Sequence, residues 1–300
     1  MPRKIWFFLM VLLVGFSFNQ CEYKTETADS DKTTLVLVNP SPWSFNSFMK
    51  LIELDIVSIS NLRCRAIYDE KSRNRMEGAE RVLKNYPALS IQLEVIPGLI
   101  SEEMLYQENE FSGHFRKIFL ESDGILFFGG DDIPPKIFGE KTSLLTDIET
   151  PHRHYFELSL LFHLLGGSQN QNMTPLLEQK PEFVVFGFCL GLQTMNVATG
   201  GKMVQDIPSE LYEMEYVEDV LGLNPDQLHH NYWSDLYPEN DISGYQFHRI
   251  KLLPGQFWVK ILKMNPEFQP LVYSNHHQAL GDIGMNLVAG ATSLDGKVLE

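Results

Sequence analysis

Phe183-Val-Val-Phe-Gly-Phe-Cys-Leu-Gly-Leu-Gln-Thr-Met-Asn-Val-Ala-Thr-Gly-Gly201 reads as a buried strand that runs into a helix with almost no loop between them. The apolar run 183–186 is what a strand covered on both faces requires, as in a parallel sheet. Gly200-Gly201 closes the helix with the usual glycine stop. Cys189 sits at the join, and Gly187 and Gly191 flank it at minus two and plus two. A sharp turn there leaves no room for side chains. The spacing is that of a nucleophile elbow, described for serine as G-x-S-x-G and here G-x-C-x-G. At a helix N-terminus the thiol meets the positive end of the dipole and free N–H groups, which favour thiolate. The N–H of Leu190 points where an acyl oxygen would develop charge. Gly129-Gly130, a tight turn after another strand, offers a second donor at the sheet edge where open α/β folds bind ligands. A structural cysteine buried at a crowded turn would fit the same residues.

Working outward, strand-like runs at 34–39, 63–68, 91–96 and 124–128 alternate with helical ones at 47–54, 76–85 and 156–165, and 102–121 reads as mostly helical. Apolar strands joined by helical crossovers predict an α/β fold with a mainly parallel open sheet and helices on both faces. Past about residue 200 the texture changes. Segments 246–252, 271–274 and 286–292 are strand-like, with little helix between them except near 257–263, so extra antiparallel strands are expected in the C-terminal third. Asp295-Gly296 marks a hairpin turn. The Gln/Asn-rich segment 168–181 reads as an exposed loop. No repeat or second boundary is visible, and 34–300 reads as one domain.

The N-terminus is a separate matter. Arg3 and Lys4 precede an apolar run, 5–18, that turns polar at Asn19, the pattern of an export signal. The run is about 14 residues, short for crossing a bilayer. Residues 1–20 read as a signal peptide and 21–33 as a flexible tether. Cys21 follows the run directly and is the candidate for lipidation, so an exported protein, periplasmic or membrane-anchored as a lipoprotein, is expected. Phe18-Asn19-Gln20 matches the usual small-residue cleavage site poorly, and an uncleaved anchor is the alternative.

The composition is that of a globular protein, with 44% hydrophobic and 21% charged residues among 300. A formal charge of −15 opposes nucleic-acid binding. Of the 3 cysteines, Cys64 and Cys189 are too widely spaced to form a disulfide framework with or without Cys21. Cys64 lies in an alternating segment and reads as a small buried strand residue.

Gly187-x-Cys189-x-Gly191-x-Gln193 is the G-x-C-x-G-x-Q signature of class I glutamine amidotransferase domains. The chain resembles one branch of them, the γ-glutamyl hydrolase and γ-glutamyl-GABA hydrolase family, over roughly 34–300. Asp123-Gly124-Ile-Leu-Phe-Phe-Gly129-Gly130-Asp-Asp-Ile-Pro134 resembles that family's strand, Gly-Gly turn and Asp/Pro segment. Arg153 and Glu157 resemble its Arg-Asp-x-x-Glu element, and Asn196 to Gly201 with Gln205-Asp206-Ile207-Pro208 resemble the segment after the elbow. Phe247-His248, Ser274-Asn-His276-His277-Gln278-Ala279 and Asp295-Gly296-Lys-Val-Leu-Glu300 follow in family order.

The resemblance implies a flavodoxin-like, class I glutamine amidotransferase fold and a hydrolase of γ-glutamyl amide bonds. Cys189 would be the nucleophile, Gly130 and Leu190 the oxyanion hole, and the intermediate a thioester. No metal or organic cofactor is implied, and the partner is a small γ-glutamyl compound. A dead binding or scaffold relative and a glutaminase-type amidotransferase subunit are the alternatives. Two departures from the family pattern, Phe128 for proline and His154 for aspartate, change no backbone donor. The third concerns the base. The family's base histidine lies in a Q-x-H-P-E motif just after the Asp-Gly hairpin, and this sequence stops at Glu300 inside the hairpin's second strand. A version cut short at its C-terminus is therefore expected, with a shortened inactive relative as the competing explanation. Gly129, His276, His277 and Gln278 are candidates for lining the cleft. His229-His230 and His152-x-His154 hint at metal ligation, but no third ligand is spaced nearby, and they read as solvated or packing histidines.

Overall fold

The computed structural model describes residues 32–87, 89–260 and 263–300. The expected signal peptide, Cys21 and nearly all of the tether lie outside them. Among the described residues, one unit comprises 32–203 with 281–287, and the other 204–280 with 288–300. No helix of the described residues is long and apolar enough to cross a membrane.

In the first unit, branched and apolar runs form β1 (Thr33–Val38), β2 (Leu62–Asp69), β3 (Ile91–Ile96), β4 (Gly124–Phe127) and β5 (Val184–Gly187). They make one five-stranded sheet in the order β3-β2-β1-β4-β5, and every pairing is parallel. The chain leaves β1 in one direction and returns to β4 and β5 on the other side. The order therefore reverses beside β1, the place where open α/β sheets form a ligand crevice. Leu37, Cys64, Ala66 and Leu126 pack on α1 (Pro42–Glu53) and α2 (Arg73–Leu83) through Phe45, Phe48, Met49 and Ala79. The alternate residues Val36, Val38, Ile67, Ile125 and Phe127 are buried too, so both faces are covered. On the remaining side α4 (Pro151–Leu165) packs against α3 (Ser112–Leu120) and α5 (Leu190–Ala198). This is the expected architecture, and Cys64 is buried in it as expected. Strand β5 departs from its apolar reading: it ends the sheet, and Val184 and Phe186 face outward rather than being covered.

Three boundaries move for local reasons. Helix α1 starts earlier than the hydrophobic pattern suggests because Ser41 caps it, accepting from Ser44 N at 3.1 Å, and Pro42 supplies a fixed first φ. Helix α4 likewise opens on Pro151. Segment 102–121 is not one helix. Only a single turn, Glu102–Met104, and α3 are helical. Asn109 breaks it, donating from Nδ2 to Met104 O at 2.9 Å and accepting from Phe111 N at 2.9 Å, local bonds that compete with the helical ladder.

The second unit holds a three-stranded antiparallel sheet of β6 (Gln246–Leu252), β7 (Leu271–Ser274) and β8 (Ala291–Ser293), with β6 in the centre. Along β6, His248, Ile250 and Leu252 are buried while Phe247, Arg249 and Lys251 face water, the period-2 pattern of a one-sided sheet. Strand β8 is shorter than expected because Asn286, at φ +65°, interrupts extension upstream. Gly296, at φ +77°, turns the hairpin, in which Ser293 N donates to Val298 O at 2.8 Å. Short helices at Ile207–Tyr212, Val217–Val220 and Trp233–Leu236 were not anticipated; the first is capped by Asp206, which accepts from Ser209 N at 2.9 Å.

Candidate active site

Strand β5 delivers its last residues directly into α5, and Cys189 adopts φ 52°, ψ −113° at the join. Such a backbone costs a non-glycine residue about 1–3 kcal/mol and persists only where its surroundings leave no alternative. Here they leave none. A Cβ on Gly187 would lie 2.5 Å from the carbonyl carbon of Gly191, and one on Gly191 would lie 2.6 Å from Phe127 O. Phe188 N donates to that same carbonyl at 3.0 Å, pinning the corner to the end of β4. The first helical bonds follow at once, Leu192 N and Gln193 N both donating to Cys189 O at 3.0 and 3.2 Å. Gln193 is buried on α5. The Cys189 side chain is exposed.

The Gly129-Gly130 turn lies against the elbow. A Cβ on Gly129 would sit 3.4 Å from Cys189 Cβ and 3.8 Å from Sγ. One on Gly130 would strike the Arg153 guanidinium and come 3.0 Å from Leu190 Cδ2. Gly130 is therefore required by close approach, whereas a Cβ on Gly129 would make only ordinary contact, and Gly129, Gly130, Cys189 and Leu190 share one small region of the first unit.

Arg153 organises that region from below. Fully buried, it donates from Nε to Glu157 Oε1 at 2.7 Å and from Nη2 to the carbonyls of Phe128 and Gly129 at 3.1 Å each. Glu157 also accepts from Asn39 Nδ2 at 3.2 Å. The departure His154 is buried with Nε2 3.3 Å from Asp131 Oδ2, and Thr150 N donates to the same carboxylate at 2.9 Å. Burial pushes the Asp131 carboxyl up, but the bonds from His154 and Thr150 outweigh it and hold it well below the usual range. The other departure, Phe128, packs edge-on against Phe48 of α1 with ring centroids 6.3 Å apart.

The surrounding protein raises the Cys189 thiol pKa; the Leu190 N–H and the Arg153 guanidinium oppose the shift, and Asp132 adds to it. No histidine is hydrogen-bonded to the sulfur among the described residues.

The other candidates belong to the second unit. His276 is half-buried with Nδ1 2.8 Å from Gln278 O, and His277 Nδ1 lies 3.2 Å from Asp206 Oδ1. Gln278 is buried. The two sequence pairs of histidines do not form shared sites as pairs. His152 Nε2 is 3.8 Å from Asp69 while His154 faces Asp131. His230 engages Asn275 and Asp235, whereas His229 is buried with Nε2 2.9 Å from Glu300 Oε1. The approach of His229 to Glu300 is invisible to sequence reasoning, because 71 positions separate them.

Residues 104–299 match the Peptidase C26 family, a span that contains the β4 turn, Arg153, the elbow and the histidine segments. The chain belongs to the Peptidase C26 family. This is a class I glutamine amidotransferase-like family, in agreement with the fold. The chain is 27% identical over 176 residues to the glutamine amidotransferase-like protein YvdE of Lactococcus lactis subsp. lactis, covering 59% of this chain and 58% of that one. It is 28% identical over 174 residues to a Mycobacterium tuberculosis protein whose name marks it as a glutamine amidotransferase, covering 58% of this chain and 44% of that one. Protein NtpR of Enterococcus hirae is 27% identical over 177 residues, 59% of this chain and 58% of its own. The chain thus spans about half the length of the curated relatives it matches.

Proposed function

We propose that this Peptidase C26 member is a cysteine-dependent hydrolase of C–N bonds, and more narrowly of γ-glutamyl amides. The observation that carries the reading is the left-handed backbone of Cys189, which presents an exposed thiol across the Gly129-Gly130 turn at the start of a helix. An ordinary structural cysteine has no need of a strained corner, and Cys64, buried in β2, shows what one looks like in this protein. Membership of the family and the ordered motifs shared with γ-glutamyl hydrolases favour the γ-glutamyl group as the acyl part.

In this mechanism the Cys189 sulfur attacks the γ-carbonyl carbon. The tetrahedral oxyanion is held by the N–H groups of Gly130 and Leu190. Collapse expels the amine with a proton from a histidine base and leaves a γ-glutamyl thioester. Water, deprotonated by the same base, attacks the thioester, releasing glutamate and restoring the thiol. Gly187, Gly191 and Gln193 keep the corner in shape. Export, with lipid attachment at Cys21, is part of the same proposal.

Incubation with γ-glutamyl p-nitroanilide, followed by peptide mass spectrometry, tests it. The reading requires a γ-glutamyl adduct on Cys189 or steady nitroaniline release, each lost in Cys189→Ser with the fold intact. Release that survives this substitution would refute it. The alternative is a γ-glutamyl-binding relative without turnover. Tight binding of γ-glutamyl amides with neither adduct nor release would select that reading.

A further inference from the structure

The second unit gathers a group of side chains that the proposed reaction does not use. His229, on the loop after Pro225–Gln227, His248, on the buried face of β6, and Glu300, in the hairpin's returning strand, converge. One potential ligand atom from each lies within 4.8 Å of the others. Glu300 Oε1 is 2.9 Å from His229 Nε2 and 3.8 Å from His248 Nε2. Metal–ligand bonds of about 2.0–2.1 Å in tetrahedral arrangement put neighbouring donors roughly 3.3–3.4 Å apart. The two separations straddle that value, so small side-chain adjustments would let all three donors meet one ion.

Hydrogen bonding specifies the donors further. His229 Nδ1 is 3.2 Å from Gln227 O, and a carbonyl only accepts, so this nitrogen carries the ring proton. Nε2 is then a bare lone pair facing a carboxylate, another acceptor. Two acceptors 2.9 Å apart need a cation between them, either a proton or a metal ion. Tying the far ring nitrogen to a backbone carbonyl is also how proteins fix the tautomer of metal-binding histidines. His276, whose ring centroid is 5.2 Å from that of His229, repeats the arrangement, with Nδ1 2.8 Å from Gln278 O. His248 is fully buried. Its Nε2 lies 2.8 Å from Ser274 Oγ, and its Nδ1 has no hydrogen-bond partner among the described residues. Glu300 is held by its own backbone, whose N–H donates to Ala291 O at 3.0 Å.

We propose that His229, His248 and Glu300 form a binding site for one divalent transition-metal ion of the zinc class, with the fourth position open beside His276. Two imidazoles and a carboxylate suit zinc and its neighbours, whereas magnesium and calcium take oxygen ligands. The site lies wholly in the second unit and is independent of the Cys189 reading.

The test uses the untagged chain carrying Cys189→Ser, so that the exposed thiol cannot hold metal. After incubation with zinc chloride and desalting, metal content is measured by atomic emission. About one ion per chain is expected, and His248→Gln or Glu300→Gln should weaken zinc binding at least ~100-fold. Substituting cobalt(II) gives a readout that needs no ligand variant: visible d–d bands of a nitrogen–oxygen site should appear at about one equivalent. Zinc retained well below stoichiometry together with absent cobalt bands overturns the proposal. So does full retention by folded His248→Gln and Glu300→Gln proteins. Either result leaves the hydrolase reading untouched, because the thiol is absent from the experiment.

Discussion

Arg153 and Glu157, four residues apart on α4, form a fully buried ion pair with Nε 2.7 Å from Oε1, and the same guanidinium grips the carbonyls of Phe128 and Gly129. The pair thereby ties α4 to the turn that lies against Cys189. Removing one partner leaves an uncompensated buried charge, which costs about 3–5 kcal/mol. Glu157→Gln should lose stability on that scale in urea unfolding. Arg153→Lys keeps the charge but loses the planar fork, so it should damage turnover more than stability if Cys189 is the nucleophile. Equal stability of Glu157→Gln and the parent would contradict this account.

Glycine positions give a paired test of the elbow. Gly191→Ala would set a methyl group 2.6 Å from Phe127 O, a backbone atom that cannot move aside. Overpacking of this kind costs about 1–3 kcal/mol or more. Gly113, in the exposed first turn of α3, has open space where a methyl group would go, with nothing within 4 Å. Gly113→Ala should therefore stabilise by about 0.5–1 kcal/mol. Melting temperatures that moved in the same direction for both would show the elbow to be looser than described.

Alkylation should separate the two described cysteines. Burial pushes the Cys64 thiol up to about 12, so iodoacetamide should modify it only on unfolding. Cys189 is exposed but its pKa is also raised. A raised thiol pKa means little thiolate at neutrality, so labelling should accelerate about tenfold per pH unit from pH 6 to 8. Asp132→Asn removes a charge that raises this thiol and should speed labelling at pH 7. A rate plateau below pH 7 would mean that a base or cation already holds the thiolate.

Asn196 locks the far end of α5. Its Nδ2 donates to Lys202 O at 2.9 Å and Asp282 O at 3.1 Å, and its Oδ1 accepts from Gly284 N at 2.8 Å. Asn196→Ala strands three backbone groups, and a loss of roughly 2–4 kcal/mol is expected. Asn196→Asp should also destabilise, since a carboxylate would face two carbonyls. Chemical denaturation of both variants checks the assignment.

Much of this protein is written in short-range pattern. Strands β1 to β5 follow from runs of branched and apolar residues, and the elbow from glycines two residues either side of Cys189, because strand burial and turn sterics act over a few positions. Helix starts depart from periodicity where the Ser41 cap or a first-position proline, Pro151, outweighs it, and 102–121 is not one helix because one side chain, Asn109, redirects the backbone. What tertiary structure alone decided is long-range. The seating of Gly129 on Cys189 depends on β4 and β5 being neighbours, and the thiol shift comes first from the protein packed around it, with Arg153 and Asp132 arriving from distant segments to act on it in opposite senses. Likewise, His229 meets His248 and Glu300 only after a three-stranded sheet and a hairpin fold. Local sequence carries the energetics of turns and faces. Distances between side chains remote in the chain exist only once packing has brought their strands together.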